Sequence, residues 1–377
     1  MILVRQISSY FGWHLLVLVV VSFCICAVIV LIKDRLPRLS GRVHDLNVVQ
    51  TVHSRQTPRV GGLAIFGTLA LSELFAPMSI SEQYGKFVIA AGLLFMVGLF
   101  EDLGFHVSPR KRLLAAAGAS LLVISYLGVW LPRADIPGLD AVINHWAVGI
   151  PLTVLVTAGI ANGFNLIDGV NGLASMAAII SAVAMTIIAD LAEFFVMGHL
   201  AIMLAAGILG FFVLNFPSGL IFLGDAGAYT LGFVLSWYGI AILLNAPEVS
   251  PWAILLVLFL PVADTLLAIY RRSRRNADAM APDKLHMHQI VMRTLEICFL
   301  GRKRRKIANP LSTLVLAPFT IAPPICGVMY WDQKIMSFAA VVGFGFLFLI
   351  SYAAMPRFIR WYCSTIRSDA MTNRSTK

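Results

Sequence analysis

The sequence predicts an all-α, polytopic integral membrane protein with about eleven transmembrane helices. Three observations predict it. Of the 377 residues, 59% are hydrophobic and 13% charged, whereas soluble domains carry about 25% charged residues. The mean hydropathy is +0.84. Apolar runs long enough to cross a bilayer, about 20 residues each, recur from one end of the chain to the other. This composition excludes a soluble domain, which needs more polar surface, and a disordered chain, which carries fewer aromatics.

The first run, 14–32, is too long for the apolar part of a cleaved signal and lacks a small-residue cleavage site, so a retained helix is expected. Ten more runs follow, at 60–78, 86–100, 112–131, 142–160, 173–190, 193–214, 226–243, 252–270, 311–330 and 335–354. The third is short, and the joints at 79–85 and 191–192 are tight. One transmembrane unit over 1–377 is expected, with a cytoplasmic loop at 271–310 and a basic cytoplasmic tail at 356–377.

Lysine and arginine set the orientation, because they concentrate in cytoplasmic loops. All but four of the 29 basic residues fall after odd-numbered spans, the exceptions being Arg5, Lys86, Arg133 and Lys334. This places the N-terminus outside (periplasmic) and the C-terminus in the cytoplasm. The net charge of +10 then lies almost wholly on the inner face, where it also attracts anionic membrane lipid. The basic loops lack interleaved aromatics and any nucleic-acid-binding module, so no nucleic acid partner is expected. The five cysteines, Cys24, Cys26, Cys298, Cys326 and Cys363, show neither metal-site spacing nor a disulfide framework. No internal repeat is visible.

Polar residues beside apolar spans are the informative ones, because burying them is costly without a partner. Five segments stand out, all on the predicted cytoplasmic side. In HSRQTPRVGG, His53 to Gly62, Pro58 and the Gly61–Gly62 pair suggest a turn that lets backbone approach closely, and Arg59 is either a topogenic charge or a phosphate ligand. In FEDLGFHVSPRKRLL, Phe100 to Leu114, the adjacent carboxylates of Glu101 and Asp102 need a cation, a shared proton or water. Ser108–Pro109 reads as a helix start, N-cap then first position, which points Arg112 back toward those carboxylates.

In NGFNLIDGVNGL, Asn162, Asn165 and Asp168 recur every three residues, along one drifting helical stripe, before Gly169, Asn171 and Gly172. Helix packing through the asparagines is the plain alternative to a site. In NFPSGLIFLGDAGAYTLGF, Asp225 sits between Gly224 and Gly227 and is the only acidic residue between Glu193 and Glu248. An isolated carboxylate at a membrane edge points to function. In PDKLHMHQ, His286 and His288 are two apart, so an extended segment directs both the same way. The alternative is a solvated loop. Together these segments supply carboxylates, amides, imidazoles and arginines. That inventory suits a divalent ion with phosphate groups, and hence phosphoryl transfer at the membrane face.

The set ED…SPRKRL, NGFNLIDGVNGL, FLGDAGAYTLGF and DKLHMH, in this order, resembles the polyprenyl-phosphate N-acetylhexosamine-1-phosphate transferases (glycosyltransferase family 4), of the type that initiates O-antigen units. The resemblance spans roughly residues 45–295. It implies a bacterial inner-membrane enzyme that moves a sugar-1-phosphate from a UDP-N-acetylhexosamine, or a 6-deoxy derivative, to undecaprenyl phosphate. UMP is released, with Mg²⁺ as cofactor and Mn²⁺ as a substitute. The reaction class is phosphotransfer of a substituted phosphate group.

By the same resemblance Asp225 holds the metal, Asn165 shares it or lines the nucleotide pocket, and Glu101 and Asp102 form the acidic pair that binds the lipid phosphate, deprotonates it or supports the metal. Arg112, where many members have Lys, holds phosphate. Asp168 and Asn171 border the nucleotide, and His286 and His288 lie near the donor pyrophosphate. Arg59 and Asn162 complete the substrate-binding set. The chain departs from the family pattern at Glu101, where Asp is commoner, and at Asn171, where many relatives have Asp. It departs again at Gln50 and Thr51, where an Arg-Lys pair is usual, although Asp45 and His53 are kept.

The acceptor phosphate is already anionic near neutral pH, so Asp102 is expected to orient rather than deprotonate. A transporter or flippase of lipid-linked sugars is the alternative. It predicts inverted repeats and mid-membrane polar sites, while these motifs lie at helix ends on one side. An inactive scaffold is the third reading, and it predicts loss of at least one of Asp102, Asp225 or the histidines. The donor sugar, the glycan pathway and the oligomeric state, a homodimer among the options, are not written in the sequence.

Overall fold

The computed structural model describes residues 12–35, 57–274 and 285–375, with side chains as far as Thr365 apart from that of Arg302. Asp45, Gln50, Thr51 and His53, together with Asp283 and Lys284 at the head of the histidine segment, lie outside the described residues.

Helix follows helix, with no strand among the described residues. They are α1 (Trp13–Ile32), α2 (Gly62–Ser72, extended by a 3₁₀ turn to Phe75), α3 (Ser81–Asp102), α4 (Pro109–Leu127), the one-turn α5 (Asp140–Ile143), α6 (Trp146–Ile167), α7 (Leu173–Leu191) and α8 (Phe195–Asn215). Then come α9 (Gly224–Asn245), α10 (Pro251–Val257), α11 (Phe259–Arg274), α12 (Met287–Thr294), α13 (Arg305–Met329) and α14 (Lys334–Ser375). Each of the eleven apolar runs carries a helix. Among the described residues eight helices are long and apolar enough to cross a membrane, and nine if α10 and α11 form one bent span. The two remaining runs differ for local reasons. The helix over Gly62–Phe75 is short, and α4 opens with Arg110, Lys111 and Arg112, which keep its first turn out of hydrocarbon.

The expected loop at 271–310 is largely helical where it is described. It contains the end of α11, all of α12, a π-helical stretch Leu295–Leu300 and the start of α13. The expected tail beyond 356 continues α14 without a break to Ser375.

The bundle is built around α9, whose apolar window is 89% buried, the most enclosed of the spans. Helices in lipid have little hydrophobic drive to associate and rely on close packing of small residues. Gly98 on α3 illustrates this: an added Cβ would lie 2.6 Å from the backbone of Ala226. Both ends of α9 are held by opposite charges from elsewhere in the chain. At its C-terminal end Arg133 donates to the carbonyls of Leu243 at 2.7 Å, Ala246 at 3.2 Å and Val249 at 2.6 Å. A cation there complements the helix dipole and satisfies carbonyls that lack intrahelical donors.

The bend between α10 and α11 is 87° and has an identifiable cause. Pro261 has no N–H to give the carbonyl of Val257, four residues back, and its ring crowds that turn. Ser181 on α7 supplies the missing donor, its hydroxyl reaching Val257 O at 2.7 Å. α11 therefore leaves the line of α10 and packs on α6, where Gly163 lies against Pro261 and Thr265.

Candidate active site

Five stretches distant in sequence meet at one end of the bundle, where α3, α6 and α8 end and α2, α4, α7 and α9 begin. The stretch before α2 is tied to the stretch before α9 by backbone bonds: Phe222 N donates to Pro58 O at 2.8 Å, Gly61 N to Phe222 O at 2.9 Å and Gly62 N to Leu223 O at 2.9 Å. This lays Arg59 beside Gly224. Gly224 has φ +75°, a conformation that favours glycine, and a Cβ there would collide with Arg59 O and the Asp102 carboxylate.

Asp102, the buried last residue of α3, spends both carboxylate oxygens on the start of α9. Oδ1 accepts from Asp225 N at 2.8 Å and Oδ2 from Ala226 N at 2.9 Å. Those N–H groups begin a helix and have no carbonyl partner within it. Asp102 is thus a helix cap supplied by a neighbouring helix, and it fixes the backbone of Asp225. Glu101 turns the other way, its Oε2 accepting from Val107 N at 2.5 Å and bracing the 103–108 loop. Arg59 is an opposing charge close to both Asp102 and Asp168.

Ser108 caps α4, accepting from Lys111 N at 3.4 Å, and Pro109 occupies the first turn. Arg112 does point back from this helix, but its guanidinium pairs with Asp225 rather than with the Glu101–Asp102 pair. Arg112 also lies over the Tyr229 ring, 5.9 Å from its centroid. The Tyr229 hydroxyl donates to Asn162 Oδ1 at 3.2 Å and has Asn165 as a second hydrogen-bonding neighbour. Asn162, Asn165, Tyr229, Arg112, Asp225 and Asp102 therefore form one connected polar cluster, drawn from α3, α4, α6 and α9.

α6 ends at Ile167, so Asp168 stands just past the helix rather than on its stripe. Burial pushes its carboxyl up to about 7, with Arg59 partly offsetting the effect. Asn171 belongs to a second, structural set. Its Nδ2 donates to Pro217 O at 3.0 Å, its N–H to Asn309 Oδ1 at 2.7 Å, and its carbonyl accepts from Thr313 Oγ1 at 2.7 Å. Asn215 does similar work, accepting from Gly172 N at 2.7 Å and donating to Ile221 O at 2.8 Å. These bonds lock the turn that carries Asp168.

His286 caps α12 in extended conformation, and the rings of His286 and His288 lie parallel, 9° apart with centroids at 5.9 Å. Both are buried. His288 packs against Gly169, where a Cβ would overlap its ring, so the histidine pair abuts the Asp168 turn. Burial lowers His288 to about 4, which makes it neutral at pH 7 and leaves it packing and hydrogen bonding rather than charge as its means of acting. His286 is fixed by Asp264, a residue the sequence reading passed over, as it did Tyr229, Asn215 and Asn309.

Among the described residues no three His, Cys, Asp or Glu side chains converge as a metal-binding group. The cluster offers the carboxylate of Asp225 and the amide oxygens of Asn162 and Asn165, while its second carboxylate, Asp102, accepts from backbone N–H groups. Such hard, sparse oxygen donors fit a Mg²⁺ ion that takes most of its shell from substrate phosphates and water. An apolar cavity of about 480 Å³, lined by Leu266, Tyr270, Gly345, Phe348 and their neighbours on α11 and α14, contains no member of the cluster.

Comparison with known proteins agrees with this geometry. Residues 85–243, which hold all six residues of the cluster, match the family described as Glycosyl transferase family 4. The chain is 29% identical over 280 residues (74% of this chain, 77% of the relative) to the "Probable undecaprenyl-phosphate N-acetylglucosaminyl 1-phosphate transferase" of Bacillus subtilis. It is 30% identical over 285 residues (68% and 69%) to the decaprenyl-phosphate N-acetylglucosaminephosphotransferase of Mycobacterium tuberculosis. It is 27% identical over 257 residues (64% and 67%) to the undecaprenyl-phosphate alpha-N-acetylglucosaminyl 1-phosphate transferase of Yersinia pestis. With its carboxylates, amides and arginine gathered at one end of a helical membrane bundle, the chain belongs to the polyprenyl-phosphate N-acetylhexosamine-1-phosphate transferase family and is a sugar-phosphate transferase.

Proposed function

We propose that this protein transfers an N-acetylhexosamine-1-phosphate, or a 6-deoxy derivative, from a UDP-sugar to undecaprenyl phosphate, releasing UMP and starting a lipid-linked glycan of the O-antigen kind. The site faces the cytoplasm in a bacterial inner membrane, with the N-terminus periplasmic and the C-terminus cytoplasmic. The skew of basic residues supports that orientation. The observation that carries the reading is the Asp225–Arg112–Tyr229–Asn162 chain of contacts at the mouth of the bundle, held from behind by Asp102.

An oxygen of the acceptor phosphate attacks the sugar-bearing phosphorus of the UDP-sugar. A new P–O bond forms, the bond from that phosphorus to the bridging oxygen breaks, and its electron pair leaves on UMP. The acceptor carries about 1.5 to 2 negative charges near pH 7, so it needs no strong base. What the protein must supply is position and opposing charge. Arg112, anchored between Asp225 and the Tyr229 face, presents a guanidinium to phosphate oxygens. Arg59 adds a second cation at the same rim. Asn162 and Asn165 orient the nucleotide side, and His286 and His288 stand as a parallel pair, with His288 against the Asp168 turn. Asp225 and Asn165 would hold Mg²⁺, and the bound ion would supply neutralisation of pyrophosphate charge. Asp102 acts through Asp225, whose backbone it holds.

The test is UMP release by the purified protein in detergent with Mg²⁺, against a panel of UDP-N-acetylhexosamines, with and without undecaprenyl phosphate. The reading expects release that requires the lipid phosphate, and a lipid product heavier by one sugar phosphate. Release independent of the lipid, or none with any donor, sinks it.

A further inference from the structure

We propose that Asp264, a buried residue of the bent span, is a positioning residue for the histidine pair, fixing which face and which nitrogen His286 presents to the donor. The inference rests on the transferase reading above and adds a residue to it.

Asp264 is 1% exposed on an apolar helix, where a carboxylate is costly unless its oxygens are matched by donors. It meets that requirement with two adjacent groups. Oδ2 lies 2.6 Å from His286 Nδ1, and Oδ1 accepts from Met287 N at 3.0 Å. Two contacts from one carboxylate to consecutive residues set the ring plane as well as its position. A carboxylate can only accept, so His286 Nδ1 carries the hydrogen and Nε2 is the nitrogen that Asp264 leaves to act elsewhere. Gln289 Oε1 accepts from His286 N at 3.3 Å and fixes the backbone as well.

The arrangement continues outward by contact. The His288 ring lies parallel to that of His286 and seats on Gly169, the residue after Asp168. Inward, the bend at Pro261 packs α11 on α6 next to Gly163, so Asp264 is borne by a helix packed on α6, whose C-terminal end carries the Asp168 turn. A helix without the bend would carry Asp264 away from α12.

The test uses full-length protein with ¹⁵N-labelled histidine, the His286 signals being those that His286→Gln removes. In the wild type His286 should carry hydrogen on Nδ1. Asp264→Asn keeps an oxygen for Met287 N but turns an NH₂ toward Nδ1, so the ring should switch to the form with hydrogen on Nε2 alone. Turnover measured as UMP release should fall at least about tenfold while KM for the UDP-sugar stays within about twofold. A purely structural Asp264 would move the melting temperature without this tautomer switch. A bare Nδ1 on His286 in the wild type overturns the proposal whether or not the variant folds. So does an Asp264→Asn protein that turns over within about twofold of wild type. If the wild type releases no UMP, the transferase reading fails, and the wild-type tautomer still decides the role of Asp264.

Discussion

Asp102 holds Asp225 by its backbone: the carboxylate of the first accepts the N–H groups of the second and of Ala226, at 2.8 and 2.9 Å. One acidic residue thereby positions another, and the two have different tasks although both stand at the mouth of the bundle.

Removing that cap should cost both stability and turnover. Asp102→Ala leaves two buried N–H groups unpaired, about 1–3 kcal/mol each in similar cases, and frees the start of α9. Asp102→Asn retains one acceptor oxygen. Thermal melts should rank wild type above Asp102→Asn above Asp102→Ala, with UMP release falling in the same order. A base role for Asp102 predicts instead that Asn and Ala are equally inactive, with Asn melting like wild type.

Arg112 should tolerate only another cation. Its pair with Asp225 is nearly enclosed, with side-chain exposures of 14% and 12%. Arg112→Ala strands the carboxylate, a loss of about 3–5 kcal/mol for a buried pair, and should abolish transfer. Arg112→Lys keeps the charge but loses the planar contact with Tyr229. It should retain measurable turnover with a raised KM for the UDP-sugar.

Asp168 gives a pH dependence with a definite sign. Its carboxyl is raised to about 7 in the fold, chiefly by burial, so the folded state binds its proton more tightly than the unfolded chain does. Stability contributed by the protonated form is present in full below the unfolded value of about 4 and is lost as pH rises toward 7. Asp168→Asn, which cannot ionise, should therefore gain melting temperature relative to wild type between pH 4 and pH 7 and hold that gain above it. A constant difference across the range contradicts the assignment.

Arg133 separates stability from chemistry. It clamps the end of α9 opposite the polar cluster through three carbonyls. Arg133→Gln should lower stability by about 2–3 kcal/mol and leave KM for the UDP-sugar unchanged. An altered KM would mean that the two ends of α9 are coupled.

Local chemistry was legible in the sequence, and long-range pairing was not. Ser108–Pro109 signals a helix start because capping depends on neighbours in the chain, and α4 begins there. The helical runs were legible because hydrocarbon demands about 20 apolar residues. Their number that can cross a bilayer was less so, because Gly62–Phe75 is short and the run at 252–270 breaks at Leu258. Pro261 hints at that break, but the donor that stabilises it, Ser181, lies on another helix. Arg112 points back from the start of α4, as the Ser108–Pro109 signal suggests, but the carboxylate it pairs with is Asp225, on a helix far along the chain. Asp264 falls inside the apolar run 252–270 and Asn309 just before the run 311–330, and neither has a partner nearby in the chain. Their partners are 22 and 138 residues away, beyond any local pattern.

The most direct measurement of the central claim is UMP release from a UDP-N-acetylhexosamine in the presence of undecaprenyl phosphate and Mg²⁺, for wild type beside Asp225→Ala. The wild type should release UMP only with the lipid present, and Asp225→Ala should release nearly none even when melting shows that the variant is folded. Near-normal release by a folded Asp225→Ala protein would contradict that claim.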